Sequence, residues 1–170
     1  MAEKEVVQQA SADSLAQAGK YLTFAIGKED YGIEILKVRE IIGMMEVTTV
    51  PQVPEYVKGV INLRGKVIPV ISLRLKFGMN EVENTEETCI IVVNIDEILI
   101  GIIIDKVNEV LDIEQEAIEP PPNFGSNVGT DFILGIGKVA DSVKILLNID
   151  KVLSEDMTLV GQGEEEESAK

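Results

Sequence analysis

Histidine and tryptophan are absent from this chain of 170 residues, and cysteine occurs once, at Cys89. Without an imidazole there is no Ser-His-Asp or Cys-His catalysis, no histidine metal site and no side chain poised by default to titrate near neutrality. A single thiol cannot close an internal disulfide. In the run "TCIIVV", Cys89 reads as a small core residue of a protein kept in a reducing cytosol. Long apolar runs are missing too: the longest, Ile98–Ile104, holds seven residues, against the roughly 20 that a membrane-spanning helix needs. The N-terminal "MAEKEVVQQASADS" has no apolar centre of the kind a secretory signal carries. Gly-x-Ser-x-Gly, Walker-type Gly-Lys-Ser/Thr, Cys-x-x-Cys and calcium-loop spacings are all lacking. "GIGK" at Gly135–Lys138 has neither the following Ser/Thr nor the glycine spacing of a phosphate loop. No catalytic residue, metal site or cofactor motif remains, and the reading is of a non-enzymatic protein.

Positive charge is scarce. Fifteen basic residues stand against thirty acidic ones, a net charge of −15. Nucleic-acid binders draw much of their affinity from neutralising phosphates, and an anionic membrane repels such a chain. The lack of basic residues interleaved with aromatics argues the same way against a small barrel that binds nucleic acid. Proteins are the expected partners, with no nucleic acid and no direct membrane insertion.

What is abundant is Ile and Val, in a composition that is 45% apolar. β-Branched residues favour strands, and short apolar runs are separated here by turn signals. "KYLTFAIGKEDYGIEIL" reads as strand, turn, strand, and "CIIVVNIDEILIGIIID" repeats the plan. "GVINLRGKVIPVISL" is a strand pair around an Arg-Gly corner, and "FILGIGKVADSVKILLNI" is another around "ADS". Short helical stretches are expected at "PEYVKG", "SLRLKFG", "IEQEAI" and "NIDKVL". Residues 1–18 are expected to form a flexible tail, and 157–170, with four consecutive glutamates, an acidic one.

The pattern is duplicated. Moved forward by 69 positions, Tyr31–Ile42 meets Ile100–Leu111 with six identities in twelve: Gly32/Gly101, Ile33/Ile102, Ile35/Ile104, Lys37/Lys106, Val38/Val107 and Glu40/Glu109. "VISLRLKF" and "LLNIDKVL" match in character at an offset of 76. Each copy holds about five short strands, whose edges are best protected by closure into a small barrel. A mostly β fold of two such barrels is therefore expected within 19–156. One barrel is assigned to about 20–65 and the other to about 66–140. A seam between lobes is a common place for partners.

Three constellations stand out. In "KVREI" and "KVNEV" the residues Val38, Ile41, Val107 and Val110 make the strands amphipathic; they are either ordinary core positions, or Val38, Val107 and Val110, with Leu63, line an inter-barrel groove for an amphipathic helix. Arg64 sits at the glycine-marked corner. It is either a solvated hairpin arginine paired with a carboxylate such as Glu40, or an interface anchor. In "EPPPNFGSNVGTDF", Phe124 either plugs its own barrel or is a partner anchor on a stiff loop. Lys37 and Lys106 read as solvated edge devices.

These segments resemble the CheW-like family of bacterial chemotaxis adaptors across nearly all of residues 20–155. The likeness rests on "YGIEILKVREI", "PEYVKGVINLRGKVIPVISLRLKF", "GIIIDKVNEVL" and "LLNIDKVL". Ser72 departs from it where the family usually has an acidic residue, and Glu119 where some relatives are basic. The resemblance implies two intertwined five-stranded SH3-like barrels that exchange a terminal strand, the first barrel, about 20–65, taking a C-terminal strand near 143–149. It implies a cytoplasmic adaptor, monomeric alone and assembled in arrays at the membrane, which bridges a chemoreceptor tip and the regulatory domain of the histidine kinase CheA. By motif matching, the receptor surface takes Val38, Glu40, Gly59, Leu63, Arg64, Val107 and Val110. The kinase surface takes Glu119, Pro122 and Phe124. One CheW-like unit flanked only by tails favours a free adaptor over a kinase regulatory domain or a receiver fusion.

Overall fold

The computed structural model describes residues 19–121 and 132–154. Eleven strands appear among them: β1 Lys20–Ile26, β2 Glu29–Glu34, β3 Val38–Gly43, β4 Val57–Leu63, β5 Lys66–Ser72, β6 Cys89–Ile95, β7 Ile98–Ile104, β8 Lys106–Asp112, β9 Ile118–Glu119, β10 Ile133–Val139 and β11 Ser142–Leu147. Two one-turn helices follow the strand pairs, α1 Leu73–Lys76 and α2 Ile149–Val152, and 3-10 turns occupy Ile35–Lys37 and Gln115–Ala117. Three of the expected helical stretches are found. "PEYVKG" is not helical: Val57 opens β4, whose alternating Gly59 and Ile61 face inward, and the strand pairing overrides any local helical preference.

The strands form two sheets, ordered β8-β1-β2-β11-β10-β9 and β3-β6-β7-β5-β4. Under the duplication β1–β2 correspond to β6–β7, β3 to β8, β4–β5 to β10–β11, and α1 to α2. The two orders are then the same order. Each sheet takes its central hairpin from one copy and the rest from the other: four strands in the first sheet, three in the second. The parallel seams repeat the register as well, with Gly32 opposite Leu146 and Gly101 opposite Val70. The sixth strand of the first sheet, β9, pairs Glu119 with Ile136; its counterpart is the isolated bridge between Thr48 and Val60.

Each sheet draws on both halves of the chain. β3 and β4 fall in the second sheet and β8 to β10 in the first, so neither 20–65 nor 66–140 corresponds to one sheet. The exchange also goes beyond a terminal strand, since a whole hairpin crosses over. The parallel seams are the physical reason: parallel neighbours cannot be joined by a tight turn, so each hairpin meets the end of the other copy.

The hairpins pack on each other. Leu22, Phe24 and Ile26 of β1 share one core with Ile91, Val93 and Ile95 of β6, their equivalents 69 residues on. Burying each such side chain contributes about 1.5–3 kcal/mol. A second core, Ile61, Ile68, Val70, Ile90 and Val92, lies within the second sheet. Glycine keeps these strands closely packed: a Cβ on Gly32 would stand 2.9 Å from Leu146 Cδ2 across the seam, and one on Gly101 2.8 Å from Ile90 Cγ2 on β6 and 3.4 Å from Val70 Cγ2 across the seam.

Candidate functional site

Arg64 occupies the tight turn between β4 and β5 with φ of 52°, followed by Gly65 at 87°. Two successive positive φ values are the signature of a type I′ hairpin turn, whose twist matches the strands. Asn62 Oδ1 accepts from Gly65 N at 2.8 Å and fixes the corner. The Arg64 side chain is 69% exposed, and its Nη2 donates to Glu40 Oε2 on β3. β3 and β4 are the two edges of the second sheet, so this pair links one edge to the corner of the other. The geometry meets the first of the two readings for Arg64, a solvated hairpin arginine paired with Glu40. It leaves much of the guanidinium accessible as well. The equivalent corner of the first sheet carries Ala140, at φ of 53°.

The other residues of the expected receptor surface separate into groups. Val38 and Val107, equivalent by duplication, are half-buried against the shared core. Val110 is 49% exposed, as is its equivalent Ile41, outside the expected set, at 43%. Leu63 packs instead against the core of the second sheet. Gly59 is buried: its φ is +143°, and a Cβ there would lie 2.0 Å from the carbonyl oxygen of Thr48. As a surface residue Gly59 is therefore a misassignment, because it serves the bulge and the Thr48 bridge. Glu119 on β9 is exposed and accepts from Lys138 Nζ at 2.9 Å, an open pair worth about 0–1 kcal/mol. Pro122 and Phe124 lie outside the described residues, as do the two tails.

Two features escaped the sequence reading. The first is Asp105, between β7 and β8. Arg74 of α1 grips it with Nε at 2.9 Å from Oδ1 and Nη2 at 2.6 Å from Oδ2, while Gly27 N donates to Oδ2 at 2.8 Å. Gly27 belongs to the β1–β2 turn of the first sheet and α1 follows β5 of the second. One carboxylate thus ties both. The hydrogen bonds from Arg74 hold the Asp105 carboxyl below the ordinary carboxylate range, against the opposing effect of burial. The Arg74 guanidinium moves up for the same reason. The matching joint in the other half reverses the charges: Asp150 of α2 accepts from Lys37 Nζ at 2.9 Å. Lys37 is consequently a joint residue; Lys106 pairs with Glu87 at 3.3 Å.

The second is capping. Ser72 Oγ accepts from Leu75 N at 3.3 Å at the start of α1, as Asn148 Oδ1 does from Lys151 N at 3.3 Å at the start of α2. An acidic side chain caps a helix as well as serine does, so the departure at Ser72 keeps its local role.

Two small barrels with exchanged hairpins and an exposed, asymmetric corner define a β-barrel scaffold. The comparisons agree with that class. The sequence model of the CheW-like domain matches residues 20–157. "Chemotaxis protein CheW" of Klebsiella aerogenes is 40% identical over 161 residues, which cover 94% of this chain and 96% of that protein. The protein of the same description from Helicobacter pylori is 36% identical over 154 residues, 91% of this chain and 93% of its own. The crystal structure of scaffolding protein TtCheW from Thermoanaerobacter tengcongensis superposes with a TM-score of 0.70 at 38% identity, covering 76% of this chain and 88% of that one. The chain belongs to the CheW-like family, and its fold is that of two intertwined SH3-like barrels. Its role is that of a chemotaxis adaptor. Among the described residues, no helix is long and apolar enough to cross a membrane.

Proposed function

We propose that this adaptor works without catalysis in the cytoplasm, bridging the cytoplasmic tip of a chemoreceptor and the regulatory domain of the histidine kinase CheA in a membrane-associated array. The receptor tip, an amphipathic helical hairpin, docks along β3 and β8 and against the Arg64 corner. Val38, Val107, Val110 and Leu63 supply the apolar contacts; Arg64 and Glu40 supply the charged ones. Glu119, Pro122 and Phe124 form the kinase contact. The observation that carries this reading is the corner itself. The duplicated scaffold tolerates Ala140 where the other copy has an exposed arginine, so the barrel does not require Arg64 for folding. Arginine is a frequent interface anchor because its planar fork binds carboxylates bidentately.

The bridge transmits signal by geometry. A rigid double barrel with a shared core holds both partners in register, and a coupling of only about 1.4 kcal/mol changes an equilibrium tenfold. Amide NMR of the full chain, titrated separately with a receptor-tip fragment and with a kinase regulatory domain, tests the proposal. Two footprints are expected, one on β3, β8 and the Arg64 corner and one around Glu119. A single shared footprint would refute the bridging arrangement.

A further inference from the structure

A cavity of about 570 Å³ lies on the second sheet and includes none of the residues assigned to either partner. Its size is within the usual range for ligand pockets. Met44, Met45, Val47, Val53 and Val57 line it from the β3–β4 side, and Val82 from the β5–β6 connector. Both walls are tied down. Thr48 pairs with Val60, Ser72 N donates to Tyr56 O at 2.8 Å, and Met79 N donates to Arg74 O at 2.8 Å. Within the second connector, Thr85 N donates to Thr88 Oγ1 at 2.8 Å. Met45 and Val82 nevertheless remain 36% and 50% exposed at its mouth. Methionine is a side chain suited to accept varied apolar shapes.

The charges around the cavity are uneven. Four carboxylates border it, Glu55, Glu81, Glu83 and Asp105, against two cations, Lys58 and Arg74. Both cations are already engaged, Lys58 with Glu81 and Arg74 with Asp105. Glu55 and Glu83 enter no ion pair among the described residues. A cleft of mixed lining, with methionine and valine side chains set among polar ones and two uncommitted carboxylates at its rim, fits one occupant: a partner segment that inserts an aliphatic side chain and flanks it with lysine or arginine.

We propose that this cavity is a third docking site, for a basic, aliphatic-anchored peptide segment of a partner protein. It stands independently of the Arg64 and Phe124 assignments. Because Arg74 and Asp105 form part of its wall, an occupant also touches the joint between the sheets.

The probe is the peptide acetyl-Lys-Leu-Leu-Lys-amide, added to full-length protein carrying 13C-methyl methionine. Shifts are expected at the Met44 and Met45 methyls, with a Kd on the order of 1 mM that weakens as salt is raised. Met79, outside the cavity, serves as reference and stays fixed. Acetyl-Glu-Leu-Leu-Glu-amide and spermidine are expected to leave the two methyls unmoved. The double variant Glu55→Lys/Glu83→Lys should weaken the cationic peptide at least tenfold with an unchanged circular dichroism spectrum, whereas Arg64→Ala should bind it as the parent does. Equal shifts from both peptides would reduce the site to nonspecific apolar contact, and shifts from spermidine to mere charge. The same methyls moving with protein concentration alone would assign the cleft to a second copy. Each of these three results, or no shift at several millimolar peptide, would overturn the proposal.

Discussion

Arg64 and Ala140 stand at the same corner of two equivalent hairpins, with φ of 52° and 53°. The left-handed conformation costs an L-residue roughly 1 kcal/mol, and both corners bear that cost. Ala140 has no polar side chain to offset it, and the turn is held instead by Ser142 Oγ, which donates to Val139 O at 3.1 Å. Ala140→Gly is therefore expected to stabilise the fold by about 0.5–1 kcal/mol, seen as a higher urea midpoint with an unchanged slope.

The Arg74–Asp105 joint sets an acid limit. The folded pKa of Asp105 is depressed, so its contribution is fully present above the unfolded carboxylate pKa of about 4 and is lost as pH falls through the folded value. Arg74 and Asp105 side chains are 17% and 27% exposed, so solvent screens them only in part. Asp105→Asn should cost about 1.5–3 kcal/mol between pH 5 and 8. That gap should narrow below about pH 4. Urea unfolding of both proteins across this range measures it.

Gly59 tests a residue whose role the structure reassigns. An added methyl would collide with the Thr48 carbonyl at 2.0 Å, where backbone faces backbone. Gly59→Ala is expected to destabilise by about 3 kcal/mol or more through strain and the unfavourable φ. Any loss of receptor binding in that variant should follow its unfolded fraction. Weak binding by fully folded Gly59→Ala would restore Gly59 to the interface.

The kinase face is tested at a residue outside the described structure. Phe124→Ser should abolish capture of a CheA regulatory domain while leaving capture of a receptor-tip fragment unchanged. The reverse pattern in the paired pull-downs would mean that the two faces are interchanged.

The strands were legible because their faces are written locally. Leu22, Phe24 and Ile26 alternate along β1, and Gly65 marks its own corner. The six identities between the copies also foretold two matching halves. Which strands lie side by side was not legible, because period-two patterning specifies a face and not a neighbour. Hence Gly32 opposite Leu146, 114 positions away, came only from the structure. Asp105 was missed for a related reason. It ends an apolar run inside "GIIIDKVNEVL", a stretch that points to its valines and gives the aspartate no role, and its partners Arg74 and Gly27 lie far off in sequence. Gly59 was misplaced because a motif names residues without saying whether they bind or pack.

Isothermal titration of a chemoreceptor-tip fragment into the parent chain and into Arg64→Glu, at one fixed salt concentration, tests the central claim most directly. The expected loss is about 2–4 kcal/mol, roughly 30- to 900-fold in Kd, with circular dichroism and Tm unchanged because the Ala140 corner shows that the fold needs no arginine there. Equal affinity for the two proteins would contradict it, leaving Arg64 a solvated partner of Glu40 and nothing more.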